Sequence, residues 1–321
     1  MIHQGIHPGL GMAEYHAWSL DRAKLIDGPI SCSMLKSFAP NPYEWLHTPE
    51  RKQSDAMRTG TLFDAAVTDP KELETLIPLP VRDFDKIAIA PYEHFKTKEA
   101  QEWKRVQIAA GMEVMKEEEY AKAKTGHQEA IDKIMEQRDK LGKAAEAVRS
   151  HHIAGAIMEG AQFQVGVIGE IGGIPAKCLI DILPDADGDY GETIVDYKTT
   201  STGLDDESIR KAIGTYKYHW QGAFYRSLWN KVSTDRNIDD FVLIFQSPAT
   251  LEVRVVHLAD DAMALGTRAI KQAILEFTRC SHKGIGSRYA KTCEQLDLMP
   301  YHAMGEDEEL SMKEHREGGA E

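Results

Sequence analysis

Hydrophobic and polar positions change their spacing about halfway along the 321-residue chain. Before residue 160 the apolar positions recur at helical intervals, whereas after it they alternate as in β-strands. In the first half, residues 31–47 predict a short helix that begins at Ser31 or Ser33 and is broken at Pro40 and Pro42. The N-terminal half is therefore expected to be helical.

Two further helical segments precede residue 150. A helix beginning near residue 57 is expected to end before Pro70, because proline cannot donate a main-chain hydrogen bond. It carries one acid, Asp64, among apolar residues, which is an unusual position for a charge. The stretch from Lys98 to about Ser150 is rich in Glu, Lys, Ala, Gln and Met, and predicts one or two long charged helices with a break at Thr125–Gly126.

Strand-like alternation begins near residue 162. The segments "FQVGVIGEIGG" and "IPAKCLIDILPD" predict two strands joined by a tight turn at Gly172–Gly173. A third strand, "ETIVDYK", precedes a helix over "DESIRKAIGTYKYHWQGAFYRSLWN", two more strands, "FVLIFQS" and "LEVRVVHL", and a helix from Asp260 to about Cys280. This order predicts an α/β (α+β) fold with a central mixed β-sheet flanked by helices and an N-terminal helical elaboration.

Composition adds boundaries and exclusions. We expect an N-terminal extension over 1–28, one domain over 29–290 with the charged helical insertion at about 98–150, and an acidic, disordered tail over 291–321. The net charge of −13 argues against a protein that coats nucleic acid, but it leaves a local basic channel open. Without a long apolar run or a signal peptide, a cytoplasmic protein without membrane association is expected.

The segment "ETIVDYKTT" places opposite charges at the end of a predicted strand. Side chains two apart on a strand share a face, so Asp196 and Lys198 point the same way. Asp181 lies in an earlier strand of Leu and Ile, where a buried carboxylate needs a partner. That partner could be a lysine, a hydrogen-bond network or a metal.

Two neighbouring aspartates repel each other, and one lysine neutralises only one of them, so a divalent cation is the favoured partner. Oxygen ligands suit Mg²⁺ or Mn²⁺, and Lys198 beside the cation could steady or deprotonate an attacking water. The alternative is a surface ion pair between Asp196 and Lys198, with Asp181 capping a turn.

The acid, the D-x-K tripeptide and the following helix form the layout of a PD-(D/E)xK nuclease. In "YKYHWQGAFY", Gln221 and Tyr225 are an i,i+4 pair on one helical face, and this Q-x-x-x-Y resembles the RecB-like branch of that superfamily. The run from "IDILPD" through "VDYKTT" to "YHWQGAFY" resembles more narrowly the nuclease domain of RecE, the exonuclease VIII family. The N-terminal "SCSMLKSFAPNPYEW" and "RTGTLFDAAVTDP" resemble that family too, so the similarity spans about residues 29–280.

The resemblance implies a role for each matching position. The catalytic set would comprise two carboxylates, a lysine and a helical amide–phenol pair that orients the lysine or the DNA backbone: Asp181, Asp196, Lys198, Gln221 and Tyr225. The metal would be held by Asp64, Asp181, Asp196 and the main-chain carbonyl of Tyr197. The iron–sulfur cysteines of some RecB-like nucleases have no counterpart in this sequence.

Two acids leave alternatives open. The family usually has a histidine where this chain has Asp64, which is also a competent ligand for a hard cation; the alternative is an acid near a helix N-terminus that favours the helix dipole. Glu170 is either a further metal-site acid or a solvent-facing strand residue.

The implied activity is a metal-dependent exodeoxyribonuclease that hydrolyses double-stranded DNA from its ends, 5′ to 3′, and leaves single strands for recombination. The resemblance also implies a ring-like homo-oligomer and a single-strand annealing protein as partner. Candidate contacts to the DNA backbone are Lys177, Lys211, Lys217, His219 and Arg226. The alternatives are a RecB-like nuclease acting on branched or single-stranded DNA, and a catalytically idle DNA-binding adaptor that keeps the fold.

Overall fold

A computed structural model describes residues 4–18, 20, 25, 28–49 and 53–286. In chain order its elements are β1 (Gly5–His7), α1 (Met12–Ala17), α2 (Cys32–Phe38), α3 (Pro42–His47), α4 (Asp55–Thr68), α5 (Pro70–Leu76), β2 (Ile87–Ile89), α6 (Lys98–Ala109), β3 (Glu113–Met115), α7 (Glu117–Ser150), α8 (His152–Met158), β4 (Gln162–Ile171), β5 (Ile174–Leu183), β6 (Thr193–Thr199), α9 (Asp206–Thr215), α10 (Tyr218–Val232), β7 (Asp240–Gln246), β8 (Val253–His257) and α11 (Asp260–Lys283).

The central sheet has six strands in the order β1-β4-β5-β6-β7-β8. Only β6 and β7 run parallel; the other neighbouring pairs are antiparallel, so the sheet is mixed. The β4–β5 hairpin turns at Gly172 and Gly173, whose φ angles of +62° and +79° suit glycine. Helices pack on the sheet, and the predicted fold class is confirmed.

The N-terminal helices begin and end where polar side chains and prolines predict. The Ser31 side chain accepts a hydrogen bond from the amide of Met34, which starts α2, and Pro42 opens α3. The helix α4 begins after Ser54 and ends at Thr68, before Pro70, as predicted. Of these helices, α4 packs against β6, whereas α2 packs against α10 and α11.

The charged middle of the chain differs from the prediction. The helix α7 runs unbroken through Thr125 and Gly126 for 34 residues. A glycine in an exposed helix costs only about 1 kcal/mol relative to alanine, which a long helix packed against α4 tolerates. The break lies instead at Gly111, whose φ is +79°, and a short strand follows it that pairs in parallel with β2.

The single helix expected over residues 206–230 is two helices. The break is at Lys217, which adopts a left-handed conformation with φ +53° between α9 and α10. Propensity did not reveal this break, because lysine is a good helix former. At the N-terminus, Gly5–His7 pairs with β4, so the predicted extension supplies an edge strand to the sheet.

The described residues up to Gly284 belong to one compact unit. A core cluster joins α4, α7 and α8 to the strands, with Phe63, Val148, Ile182, Val195 and Ile244 among its buried members. The predicted acidic tail over 291–321 and Cys293 lie outside the described residues. No described helix combines the length and the apolar character that crossing a bilayer requires.

Candidate active site

Two neighbouring strands bring the aspartates together. Ile182 of β5 pairs with Val195 of β6 in an antiparallel register, and continuing that register by one residue sets Asp181 opposite Asp196. The strands part there, because the amide of Tyr197 donates to Asp181 Oδ2 at 3.0 Å instead of to a main-chain carbonyl. The strand opening thus leaves the two carboxylates facing each other.

The Lys198 side chain lies between the two carboxylates. Its ammonium forms an ion pair with Asp196 Oδ2, lies 4.0 Å from Asp181 Oδ2, and donates to the carbonyl of Tyr197 at 3.2 Å. The side chain of Asp196 is only 1% exposed, so the pair is not a surface ion pair at a strand end. The acids and the lysine therefore meet on one side of the sheet, as their spacing predicts.

The helix α10 contributes an amide to the same cluster. Gln221 Nε2 donates to Asp196 Oδ1 at 2.6 Å, so this glutamine holds a carboxylate and not the lysine. Tyr225, one turn later, packs edge-on against Phe241 with ring centres 6.3 Å apart. Burial raises the pKa of Tyr225 well above its usual value, with smaller contributions from Tyr15 and Asp196, so its phenol stays neutral.

Asp64 comes to the site from α4. It is the tenth residue of a helix that begins at Asp55, which rules out the alternative of an acid favouring the helix N-terminus. Gln164 Nε2 donates to Asp64 Oδ2 at 3.4 Å, whereas Asp64 Oδ1 is buried without a hydrogen-bond partner among the described residues. Burial, opposed by the Lys198 charge and assisted by the Asp196 charge, raises the pKa of Asp64 to about 7.

Gln164 holds Asp64 from an unusual backbone conformation. It is left-handed, with φ +51°, and it interrupts the β4–β5 ladder opposite Asp181, between the pairs Phe163–Ile182 and Val165–Ile180. A left-handed conformation costs a non-glycine residue about 1–2 kcal/mol. The pairing of Asp181 is thus interrupted toward both neighbouring strands, β4 and β6. Backbone strain such as that of Gln164 is common at functional sites.

The electrostatics of the cluster are dominated by burial and by repulsion between acids. Burial, then the charges of Asp196 and Asp64, raise the pKa of Asp181 well above its usual value. Burial alone would lower the pKa of Lys198, but the carboxylates of Asp196 and Asp181 outweigh it and raise that pKa. The site therefore holds one firmly charged lysine and more carboxylates than that lysine can neutralise.

The donor chemistry of these residues fits a divalent cation. Asp64, Asp181, Asp196 and the Tyr197 carbonyl offer only oxygen atoms, which Mg²⁺ and Mn²⁺ prefer, and the buried Asp64 Oδ1 lacks a partner among the described residues. Within the described part of the chain, no three His, Cys, Asp or Glu side chains are arranged as a metal-holding group. In this arrangement the positive charge next to Asp196 is that of the Lys198 ammonium.

The cluster opens into a cleft of about 1190 Å³. This volume exceeds the roughly 300–1,000 Å³ of pockets for small ligands. Asp64, Asp181 and Lys198 line its floor, and the hydroxyl-bearing segment 199–202 continues from β6 along one side. A polymeric substrate can therefore reach the carboxylates and the lysine from solvent.

The sequence did not reveal two residues that lie near Lys198, namely Lys36 and Tyr218. The ammonium groups of Lys36, from α2, and Lys198 both lie 5.7 Å from the ring centre of Tyr218. Burial is the main reason that the pKa of Lys36 is lowered, and the Lys198 ammonium contributes. Lys36 lies one turn after the buried Cys32, on the apolar face of a short helix. A lysine at such a position was the only feature of the sequence that could have indicated its place beside Lys198.

A buried glutamine anchors the D-x-K strand from behind. Gln246 is fully buried; its Oε1 accepts from the Tyr197 hydroxyl, and its Nε2 donates to the carbonyls of Ala144 at 2.9 Å and Leu251 at 3.1 Å. This ties the strand carrying Asp196 and Lys198 to α7. No motif in the sequence indicated this role.

The predicted DNA contacts are scattered. Lys177 is 2% exposed, and its ammonium donates to the carbonyl of Tyr15 at 2.6 Å, so it does not lie where DNA could reach it. Arg226 is tied to the carbonyl of Asp239 at 2.9 Å, and the Lys217 ammonium covers the Trp220 ring at 4.7 Å from its centre.

The other predicted DNA contacts and Glu170 are likewise not gathered at one place. His219 is half-buried, and burial lowers its pKa, whereas Lys211 is exposed on α9. Glu170 is an exposed strand residue near the hairpin turn and is absent from the lining of the cleft, which favours its solvent-facing alternative.

The fold and the D-x-K site together define a PD-(D/E)xK-type domain. The chain matches the family described as "PDDEXK-like domain of unknown function (DUF3799)" over residues 31–299, and it therefore belongs to that family. The match supports the superfamily that the motifs predict, whereas the narrower likeness to RecE rests on the motifs alone. No curated protein sequence matches the chain.

One solved structure shares the fold along almost the whole chain. A crystal structure of a protein from Eubacterium rectale, named a candidate exonuclease, superposes with a TM-score of 0.50 at 16% identity, covering 93% of this chain and 98% of that one. A second structure, of the protein SSO0001, has a TM-score of 0.26 at 16% identity over 67% of this chain and 84% of that one, and it carries no argument. At these identities the likeness concerns the fold alone.

Proposed function

We propose that the protein is a metal-dependent deoxyribonuclease that hydrolyses phosphodiester bonds. The observation that carries this proposal is the Lys198 ammonium placed between Asp181 and Asp196 on the floor of an open cleft. Membership of a PDDEXK-like family supports the same reading. An adaptor without activity would have no need to keep this costly cluster of buried charges.

The roles follow from the contacts. Gln221 and Lys198 hold the two oxygens of Asp196, so that this carboxylate is fixed in place. Lys198 stays protonated and can stabilise the negative charge that develops on the phosphate during hydrolysis. A divalent cation held by Asp64, Asp181 and Asp196 would supply Lewis acidity and lower the pKa of a bound water.

The finer proposal is an exonuclease that degrades double-stranded DNA from its ends, 5′ to 3′, to give single strands for recombination. It is supported by the RecE-like run of motifs and by the fold shared with the candidate exonuclease. A ring-like homo-oligomer, a single-strand annealing partner and a cytoplasmic location belong to this proposal. A nuclease acting on branched or single-stranded DNA would use the same residues.

The test is incubation of end-labelled linear duplex and closed circular duplex with the full chain and Mg²⁺ or Mn²⁺. We expect the linear DNA to be shortened from its ends and the circle to be spared. Lys198→Ala should lose this activity, whereas Lys143→Ala, which removes an exposed lysine of α7, should keep it. Intact linear DNA with the wild-type protein would overturn the nuclease proposal, and nicking of the circle would overturn the requirement for ends.

A further inference from the structure

Two tyrosines form a tilted aromatic pair that extends from solvent toward Lys198. The rings of Tyr216 and Tyr218 lie 5.7 Å apart at an angle of 31°, and the Tyr218 ring lies 5.7 Å from the Lys198 ammonium. Tyr218 is buried, whereas Tyr216 is 60% exposed. The left-handed Lys217 between them interrupts the helix, and the two tilted rings lie close together across this break.

Further apolar side chains line the cleft. Met57 of α4 and Leu76 of α5 line the cleft together with Tyr216, and they are 57% and 39% exposed. The floor, by contrast, is polar, with Lys198, Asp181 and the hydroxyls of the 199–202 segment. The cleft thus combines a charged floor with an exposed apolar rim.

This combination matches the two parts of an unpaired nucleotide. The phosphate carries the charge and suits the lysine on the floor, and the base has a flat apolar face that stacks on aromatic side chains. In a duplex the base faces are covered by their stacked neighbours, and the outer surface is mainly phosphate and sugar. A rim with an exposed aromatic face therefore suits a strand whose bases are unpaired.

We infer that Tyr216, with Met57 also lining the cleft, binds a base of the DNA strand whose phosphate lies at Lys198, so that the cleft takes an unpaired nucleotide. This inference rests on the proposed nuclease function and specifies its substrate class. It assigns to the Tyr216–Tyr218 pair a binding role that the metal-site motifs do not contain.

The test measures binding separately from cleavage. A fluorescent single-stranded oligonucleotide, the same oligonucleotide with abasic positions, and a blunt hairpin duplex are titrated with the full chain in EDTA, and gels verify that the DNA stays intact. Tyr216→Ala should weaken binding of the single strand by roughly 5- to 150-fold. Tyr216→Phe and Tyr216→Trp should retain affinity, because they preserve the aromatic face.

The matched control is Tyr43→Ala, which removes another exposed tyrosine, on α3, that does not line the cleft. The wild-type protein should bind the abasic oligonucleotide weakly, and Tyr216→Ala should not weaken that binding further. Equal affinity of wild type and Tyr216→Ala for the normal single strand would overturn the inference. So would a loss of the same size for the abasic oligonucleotide or the hairpin, because those losses would not depend on an unpaired base.

The two proposals can fail separately. If single-strand binding depends on Tyr216 but the wild type leaves all DNA whole in Mg²⁺ or Mn²⁺, the base site stands and the nuclease proposal fails. If DNA is cut but Tyr216→Ala binds the single strand like the wild type, the nuclease proposal stands and the base site fails.

Discussion

Replacing Lys198 with methionine should destabilise the metal-free protein as well as abolish catalysis. The change keeps a chain of similar length but removes the cation bound to Asp196, whose side chain is 1% exposed. Gln221 would remain as a hydrogen-bond donor to one oxygen of Asp196. The other oxygen would be left buried beside Asp181 without the ammonium that had been paired with it.

The size of the effect follows from the burial of the pair. Removing one partner of a buried ion pair costs about 3–5 kcal/mol, because the remaining charge is left uncompensated. The Lys198 side chain is 24% exposed, so solvent can reach part of the site and we expect the lower end, about 3 kcal/mol.

The assay is urea unfolding in EDTA at pH 8, followed by far-UV circular dichroism. Lys143→Met is the control, because its pair with Asp139 lies at the surface with side chains 67% and 62% exposed, and its removal should change stability little. Adding Asp196→Asn to Lys198→Met should recover most of the loss, since it removes the stranded charge. If Lys198→Met unfolds at the same urea concentration as Lys143→Met, the ion pair does not carry the energy assigned to it.

Two further predictions concern charges near the same cluster. Lys36→Met should weaken DNA binding about tenfold and reduce the salt dependence of the affinity by about one phosphate contact. Titrations at several salt concentrations measure both quantities. Unchanged affinity would show that Lys36 does not contact the DNA. For Asp64, the pKa is raised from 3.8 to about 7, mainly by burial, so the cost of its ionisation grows from about pH 4 to pH 7 and is fully present above pH 7. In EDTA, Asp64→Asn should therefore gain stability over the wild type by up to roughly 4 kcal/mol at pH 8 but little at pH 4, in urea unfolding; an equal gain at both values would contradict this origin.

Much of the fold could be predicted from local patterns. The Gly172–Gly173 turn, the Ser31 cap and the end of α4 before Pro70 depend on backbone chemistry that each residue carries with it. The breaks at Gly111 and Lys217 could not be placed in this way. A helix continues or stops at such positions according to what packs against it, and propensities differ by only about 1 kcal/mol.

The residues of the candidate site can also be divided into those that local patterns predict and those that only packing brings to the cluster. Its acids and its lysine could be predicted, because a charge in an apolar strand requires a partner and a two-residue spacing sets a common face. Lys36, Gln164 and Gln246 were not foreseen, since they reach the cluster from distant segments. Lys177 shows the converse error: its type suggested a DNA contact, but its ammonium is buried against Tyr15.

The sequence alone determined the class of fold and the acids and lysine of the candidate site, because both depend on the alternation of apolar positions and on the cost of burying charge. The tertiary structure decided that Gln221 holds Asp196, that one buried oxygen of Asp64 has no hydrogen-bond partner among the described residues, and that Tyr216 lines an open cleft. Those features depend on the distances between segments far apart in the chain, which only packing sets.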